Sequence, residues 1–341
     1  MKNKLLHAFV WVLLSGLVAC ESFLIGDEPT NTAENNFEIL WEQFDRWYGL
    51  FLVKDIDWHQ IYSDYRPRVT STTTDTELWQ IVTEMLEELN DSHTEIWDPR
   101  TGRRFISGFA DNLQARKEFD LQLIEQKYLD NHFEATGDQG MVYGSINNEI
   151  GYIHVFNFES HHREIDHVMN QLSDFKGIIL DLRNTSGGEN EGVIGISGRF
   201  ADQRRFINTV QTRNGPEYDD FDEPIRKYVK PGGDYQYTQP VVLLTDRFTI
   251  SAAESLSLYM VSLPHVTQVG DSTAGAFSDS FFNRFLPNGW IYTMSYQLVL
   301  LPDGTSPEEI GVIPEIFLKN TETDIASGND KVLEFAIDYL N

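Results

Sequence analysis

The sequence predicts an α/β fold with a smaller helical region ahead of it, and three observations carry that prediction. Ile150–Val155, Gly177–Leu182 and Pro240–Thr245 are short apolar runs of strand length, the last two nearly continuous, as in strands buried on both faces. Helical patterns at Val168–Phe175 and Ala252–Leu263 alternate with them, and alternating strands and helices build a layered α/β core. Before Leu89 the pattern changes to apolar residues three and four apart, the stripe of an amphipathic helix.

With 341 residues the chain is long enough for one large domain or two modest ones. Its 26 Lys and Arg stand against 53 Asp and Glu, a formal charge of −27. So acidic a body repels phosphate backbones, and no basic stripe with interleaved aromatics interrupts it, which argues against nucleic-acid binding.

The first twenty residues read as a processed leader. Lys2 and Lys4 precede a mostly apolar run, Leu5–Leu14, too short to span a bilayer. It ends in Leu17-Val18-Ala19-Cys20, which resembles the lipobox of bacterial lipoproteins. The resemblance implies cleavage before Cys20, acylation of its thiol, and a place in the bacterial cell envelope. The alternative is an ordinary secretory leader with a chance cysteine. Cys20 is the only cysteine of the chain, so its acylation would leave no thiol for nucleophilic, metal or redox chemistry. No later segment is long and apolar enough to cross a membrane, which makes the lipid the expected membrane contact.

Residues 21–35 are polar, with Gly and Pro, and read as a tether. Residues 36–100 form an N-terminal helical domain. Phe37, Leu40, Trp41, Phe44, Trp47 and Tyr48 make its first stripe, and Leu78, Ile81, Val82, Met85, Leu86 and Leu89 its second. Thr74-Asp75-Thr76-Glu77 supplies capping residues before the second. Residues 101–145 are a connecting segment with short alternating stretches such as Phe119–Leu123, 146–320 form the α/β core, and 321–341 a C-terminal helix.

Ser251 follows the strand at 241–245 and opens the next helix as Ser251-Ala252-Ala253-Glu254. A serine at a strand-to-helix junction can project its hydroxyl, and the next N–H points at an incoming oxyanion. The same four residues also spell a plain capping box. Asp181-Leu182-Arg183-Asn184-Thr185-Ser186-Gly187-Gly188 follows another buried strand. Its paired glycines allow close backbone approach, to a ligand or simply in a turn.

Together with Gly151-Tyr152-Ile153, Val269-Gly270, Thr273-Ala274-Gly275 and Gly311-Val312-Ile313-Pro314-Glu315, these segments make residues 146–320 similar to the S41 family of serine peptidases, the C-terminal-processing and tricorn-type proteases. The resemblance implies a ClpP/crotonase-like core of repeated strand-strand-helix units. It implies Ser251 as nucleophile, with the Ala252 N–H and a glycine N–H from Gly187-Gly188 as oxyanion hole. One branch of that family activates its serine with a lysine beside the Thr-x-Gly motif. Here Ala276 or Phe277 stands there, and no lysine occurs between Ser251 and Lys319.

The tricorn-like branch uses a histidine after an N-terminal helix, which selects His93 in Asp91-Ser92-His93, with Ser92 as an orienting group. Many relatives carry Asp-Gly-His here. Neutral imidazole has the basicity the task needs; the alternative is a surface histidine in a loop. The family's acid precedes the Gly-Val-x-Pro motif, which favours Glu308 and leaves Glu309 open. No cofactor and no metal is implied. His161, His162 and His167 lack a ligand spacing and read as solvated surface.

About fifty residues separate Trp97 from Ile150, too few for a PDZ domain. Residues 200–240 read as an insertion, either a lid or a surface excursion. The expected activity is an extracytoplasmic serine peptidase acting on peptides or unfolded polypeptides through an acyl-enzyme. A non-catalytic binding protein on the same fold, or a small ester or amide hydrolase, remains the alternative.

Overall fold

In the computed structural model, which describes residues 30–137, 139–158 and 164–341, the chain enters a helix almost at once. Thr32 accepts the Asn35 N–H and opens α1 (Ala33–Trp47). The last residues assigned to the tether are therefore its cap and first turn; Cys20, the leader and residues 21–29 lie outside the described residues. Asp57 caps α2 (Trp58–Tyr65). Thr74 and Glu77 form the expected capping box at the start of α3 (Asp75–Glu87). Phe37, Leu40, Phe44, Trp58, Val82 and Met85 of these helices join one buried cluster, so the aromatic stripe is core packing.

Next come β1 (Glu95–Asp98), β2 (Arg103–Ile106), α4 (Ala110–Ala115), α5 (Leu121–Lys127), β3 (Glu134–Ala135) and β4 (Met141–Ile146). The alternation at Phe119–Leu123 resolves into a helix start, because Asp120 accepts the N–H groups of Gln122 and Leu123. The chain then alternates: β5 (Ile150–Val155), α6 (Ile165–Leu172), β6 (Gly177–Asp181), α7 (Asn190–Gly198), β7 (Arg205–Thr212), β8 (Ile225–Val229), β9 (Val241–Thr245), α8 (Ala252–Val261) and β10 (Val266–Gly270). It closes with β11 (Ser280–Phe285), β12 (Ile291–Ser295), β13 (Gln297–Leu300), β14 (Ile316–Phe317), α9 (Glu322–Ala326) and α10 (Lys331–Leu340).

The main sheet has seven strands in the order β14-β10-β9-β6-β5-β4-β3. Pairing is parallel from β14 through β5, and β4 and β3 extend it antiparallel. Ile178, Leu180, Val241 and Leu243 face α6, α7 and α8, whereas Ile179, Val242 and Leu244 face α10. The central strands β5, β6 and β9 are buried on both faces, which explains why the sequence shows apolar runs there. Truncating one of these leucines to alanine costs about 2–5 kcal/mol.

Two smaller sheets attach to this core. One has the order β11-β12-β1-β2, so strands from both ends of the chain share it. Trp290, just before β12, and Tyr292 and Met294 of β12 enter the N-terminal helical cluster. The other, β13-β7-β8, is where the 200–240 segment finds structure.

Candidate active site

Ser251 sits between β9 and α8 with φ 61 and ψ −121. A serine held at positive φ is strained, and such strain persists only where the surroundings enforce it. Gly187 (φ +91) is one enforcer: a Cβ there would lie 2.7 Å from Ile250 O and 2.9 Å from both Ala252 N and Ser251 Cβ. Only glycine lets the Gly187-Gly188 turn approach the serine so closely. Ala252 is the first residue of α8, so its N–H has no acceptor within the helix. Gly188, Ser251 and Ala252 line one cleft.

Glu254 does more than cap. It is fully buried, and accepts the Ser251 N–H at 3.0 Å, the Thr273 hydroxyl at 2.7 Å, and the Gly275 and Ala276 N–H groups at 2.6 and 2.8 Å. It therefore ties the serine turn to the Thr-x-Gly loop. Burial raises its pKa against those four donors. Ala276, one of the two residues at the place of the lysine in the Ser-Lys branch, is itself buried and donates to this carboxylate.

The Asp181–Asn184 motif is a scaffold. Arg183 is buried between Asp181 at 2.6 Å and Asp330 at 2.9 Å. The Asn184 N–H donates to Asp246, which also accepts the Phe248 N–H at 2.8 Å. This holds the glycine turn to the segment leading into Ser251. Burial pushes the Asp246 carboxyl up to about 7.

His93 follows α3 in a turn organised by Asp91. Asp91 Oδ1 accepts the His93 N–H at 3.0 Å and Oδ2 the Thr94 hydroxyl at 3.0 Å. The ring is partly buried, and its Nδ1 is shielded from solvent with no hydrogen-bond partner among the described residues. Burial lowers the His93 pKa below its ordinary 6.5, while Asp91 and Asp279 pull it back up.

Glu308 and Glu309 divide by partner. Glu308 is buried and accepts the Phe277 and Ser278 N–H groups at 3.0 and 2.6 Å. Burial, then the charges of Asp91 and Glu254, push its carboxyl well above the usual range. Glu309 instead pairs with Lys54 at 2.9 Å. Lys54 also donates to Leu89 O at 2.8 Å and Asn90 O at 3.0 Å, in the turn between α3 and His93.

These groups converge on Phe277–Asp279. Phe277 and Asp279 line the Ser251 cleft, Glu308 holds the N–H groups of 277 and 278, and Asp279 acts on His93. No hydrogen bond joins Ser251, His93, Ser92 and Glu308 to one another among the described residues. Catalytic hydrogen bonds often tighten only when substrate is bound.

Asp91, Asp279 and Lys54 escaped the sequence reading. Asp91 had a signal, since Asp accepting the N–H two residues on is a common turn. Lys54 had none, because its partners are remote in sequence. His167 Nε2 lies 3.2 Å from the Tyr143 hydroxyl, while His161 and His162 lie outside the described residues. No group of metal-binding side chains occurs among the described residues.

The chain matches the profile of Peptidase family S41 over residues 149–318 and that of the tricorn protease C1 domain over 29–87. The carboxy-terminal processing protease CtpA of Bacillus subtilis is 30% identical over 172 residues, half of this chain and 35% of that protein. A carboxyl-terminal-processing protease of Synechocystis is 25% identical over 56% of this chain and 44% of its own length. The chain thus spans less than half of these curated relatives. A crystal structure from Parabacteroides merdae, provisionally described as a peptidase, superposes with TM-score 0.82 at 30% identity, covering 91% of this chain and 97% of the other. The tricorn protease shares the fold, at TM-score 0.60 and 17% identity over 90% of this chain and 36% of its own. The chain therefore belongs to peptidase family S41.

Proposed function

We propose that this chain is an extracytoplasmic serine peptidase that cleaves peptides or unfolded polypeptides through an acyl-enzyme. The observation that carries the reading is Ser251 at φ 61 between a buried strand and a helix, with Gly187 packed against its Cβ. That turn presents a hydroxyl beside two sources of free N–H groups, the chemistry acyl transfer needs.

In this mechanism Ser251 Oγ attacks the scissile carbonyl and His93 takes the hydroxyl proton. The oxyanion is held by the Ala252 N–H and an N–H of Gly187-Gly188. His93 returns the proton to the leaving amine, and water, activated by the same imidazole, hydrolyses the ester. Glu308 accepts the N–H of the cleft-lining Phe277 and is the proposed acid of the relay, with Ser92 orienting; Glu309 is occupied by Lys54. Burial makes Glu308 reluctant to ionise alone, so a positive charge arriving on His93 is what favours its carboxylate form.

Residues 36–100 are the proposed N-terminal domain and 146–320 the catalytic core. The β13-β7-β8 sheet contributes Asn208, Val210, Gln297 and Val299 to the cleft, which supports the 200–240 segment as a wall over the site. The Leu17–Cys20 motif supports a lipid anchor at Cys20 in the bacterial cell envelope. The test is labelling by a fluorophosphonate probe together with turnover of a peptide library. Labelling of the native chain that vanishes in Ser251→Ala supports the assignment, and undiminished labelling in that variant refutes it.

A further inference from the structure

One cation in the Ser251 cleft has no part in the chemistry above. Lys227 lines the cleft from β8, an edge strand. Across the ladder it faces Asn208, and Val210 faces Val299. Residues two apart on a strand share a face, so Asn208, Val210, Gln297, Val299 and Lys227 form one continuous wall of the cleft. The pairing of β7 with β8 slips between Phe206 and Asn208, and bulges of this kind re-aim side chains beside functional sites.

A lysine on an edge strand can simply discourage pairing with another chain, but such a residue faces solvent. Lys227 is only partly exposed, whereas its neighbours Ile225 and Arg226 are exposed. Lys54, Lys127, Lys176 and Lys331 each have a carboxylate partner. The Lys227 side chain has neither an ion pair nor a hydrogen bond among the described residues. In a chain with 53 acidic and 26 basic residues, an unpaired ammonium inside a cleft is a specific arrangement. Val210 and Val299 beside it offer an apolar track for an alkyl stem, and Asn208 adds a polar group.

We propose that Lys227, assisted by Asn208, is a subsite for a carboxylate of the bound peptide, resting on the peptidase reading of the same cleft. The carboxylate comes either from an Asp or Glu side chain or from the peptide's own C-terminus. Asp279 carries the opposite charge in the cleft and acts on His93, so it repels a carboxylate from that side and favours Lys227. The subsite also offsets the repulsion that the acidic body exerts on an acidic peptide.

The test separates binding from turnover. Fluorescein-labelled, alanine-based octapeptides are made in four forms: one internal Glu or one internal Gln, both amidated, and an all-neutral peptide with free or amidated C-terminus. Fluorescence anisotropy measures their binding to Ser251→Ala, alone and combined with Lys227→Ala or Lys227→Arg. A charge-assisted hydrogen bond in a cleft predicts about tenfold tighter binding of one carboxylate form over its neutral match. That ratio falls to about one with Lys227→Ala and survives in Lys227→Arg. The pair that shows the ratio identifies the source of the carboxylate. Equal affinities within both pairs, no peptide binding, or a ratio unchanged by Lys227→Ala overturns the subsite. Failure of the native chain to label with fluorophosphonate or to cleave peptides overturns the peptidase reading instead, and leaves the binding ratio to decide the subsite.

Discussion

Lys54 and Glu309 meet at 2.9 Å across 255 residues of chain. The ammonium is almost fully buried, with a side-chain exposure of 2% against 42% for its partner. Its other two hydrogens go to Leu89 O and Asn90 O. One side chain thus fastens the turn before His93 to the loop that carries Glu308, and it gives the two adjacent glutamates different partners.

Glu309→Gln should therefore lower the melting temperature and leave kcat within a few-fold, while Glu308→Gln should lower kcat roughly tenfold to a hundredfold, below the cost of removing a proton-transferring group. Lys54→Met should destabilise by about 1–3 kcal/mol, since two carbonyls lose their donor. Thermal melts beside steady-state kinetics on the three variants decide this. Loss of kcat in Glu309→Gln with Glu308→Gln near native would exchange the assignments.

The pH profile tests His93. Burial lowers its pKa below 6.5, and only the neutral ring accepts a proton, so kcat/KM should rise with pH through a transition below 6.5 and then level off. His93→Ala should lose roughly two to four orders of magnitude in kcat with the fold intact. A transition well above neutrality, or near-native turnover in His93→Ala, points to another base.

Gly187→Ala should abolish turnover and lower the melting temperature, because the clash is with backbone at a positive-φ position. The added methyl meets Ile250 O at 2.7 Å and Ala252 N at 2.9 Å, at the position where an oxyanion would be held. Soluble, folded Gly187→Ala with native kcat would remove this turn from the site.

Asp246 gives a stability test. Its carboxyl is raised from 3.8 to about 7 by burial, so in the fold it stays protonated where the unfolded chain ionises. Its contribution is complete below about pH 4 and is lost as pH rises to about 7, at up to roughly 1.4 kcal/mol per unit. Denaturant melts from pH 4.5 to 7.5 should show native stability falling more steeply with pH than that of Asp246→Asn. Parallel curves would show that Asp246 does not titrate in this window.

The anchor prediction concerns Cys20. The native protein should sediment with washed membranes and Cys20→Ser should be released, since no helix among the described residues is long and apolar enough to cross a membrane. Retention of Cys20→Ser in the membranes would discard the lipid anchor.

What the sequence determined by itself was local. Thr74 and Glu77 announce the start of α3, and the unbroken apolar runs at 177–182 and 240–245 become the doubly buried strands β6 and β9. The junction at Ser251 and the glycines at 187 and 188 were legible because each is a rule of backbone geometry over a few neighbouring residues. Only the tertiary structure decided that Glu308 binds the Phe277 and Ser278 N–H groups while Glu309 pairs with Lys54, that Glu254 spans to the Thr273–Ala276 loop, and that the 200–240 segment pairs with β13 to wall the cleft. Those outcomes depend on partners hundreds of residues apart, brought together by burial and strand pairing, and no local pattern encodes who meets whom. Lys54 is the clearest case: nothing around it in sequence distinguishes it from a surface lysine, and it is the fold that supplies its two carbonyls and its carboxylate.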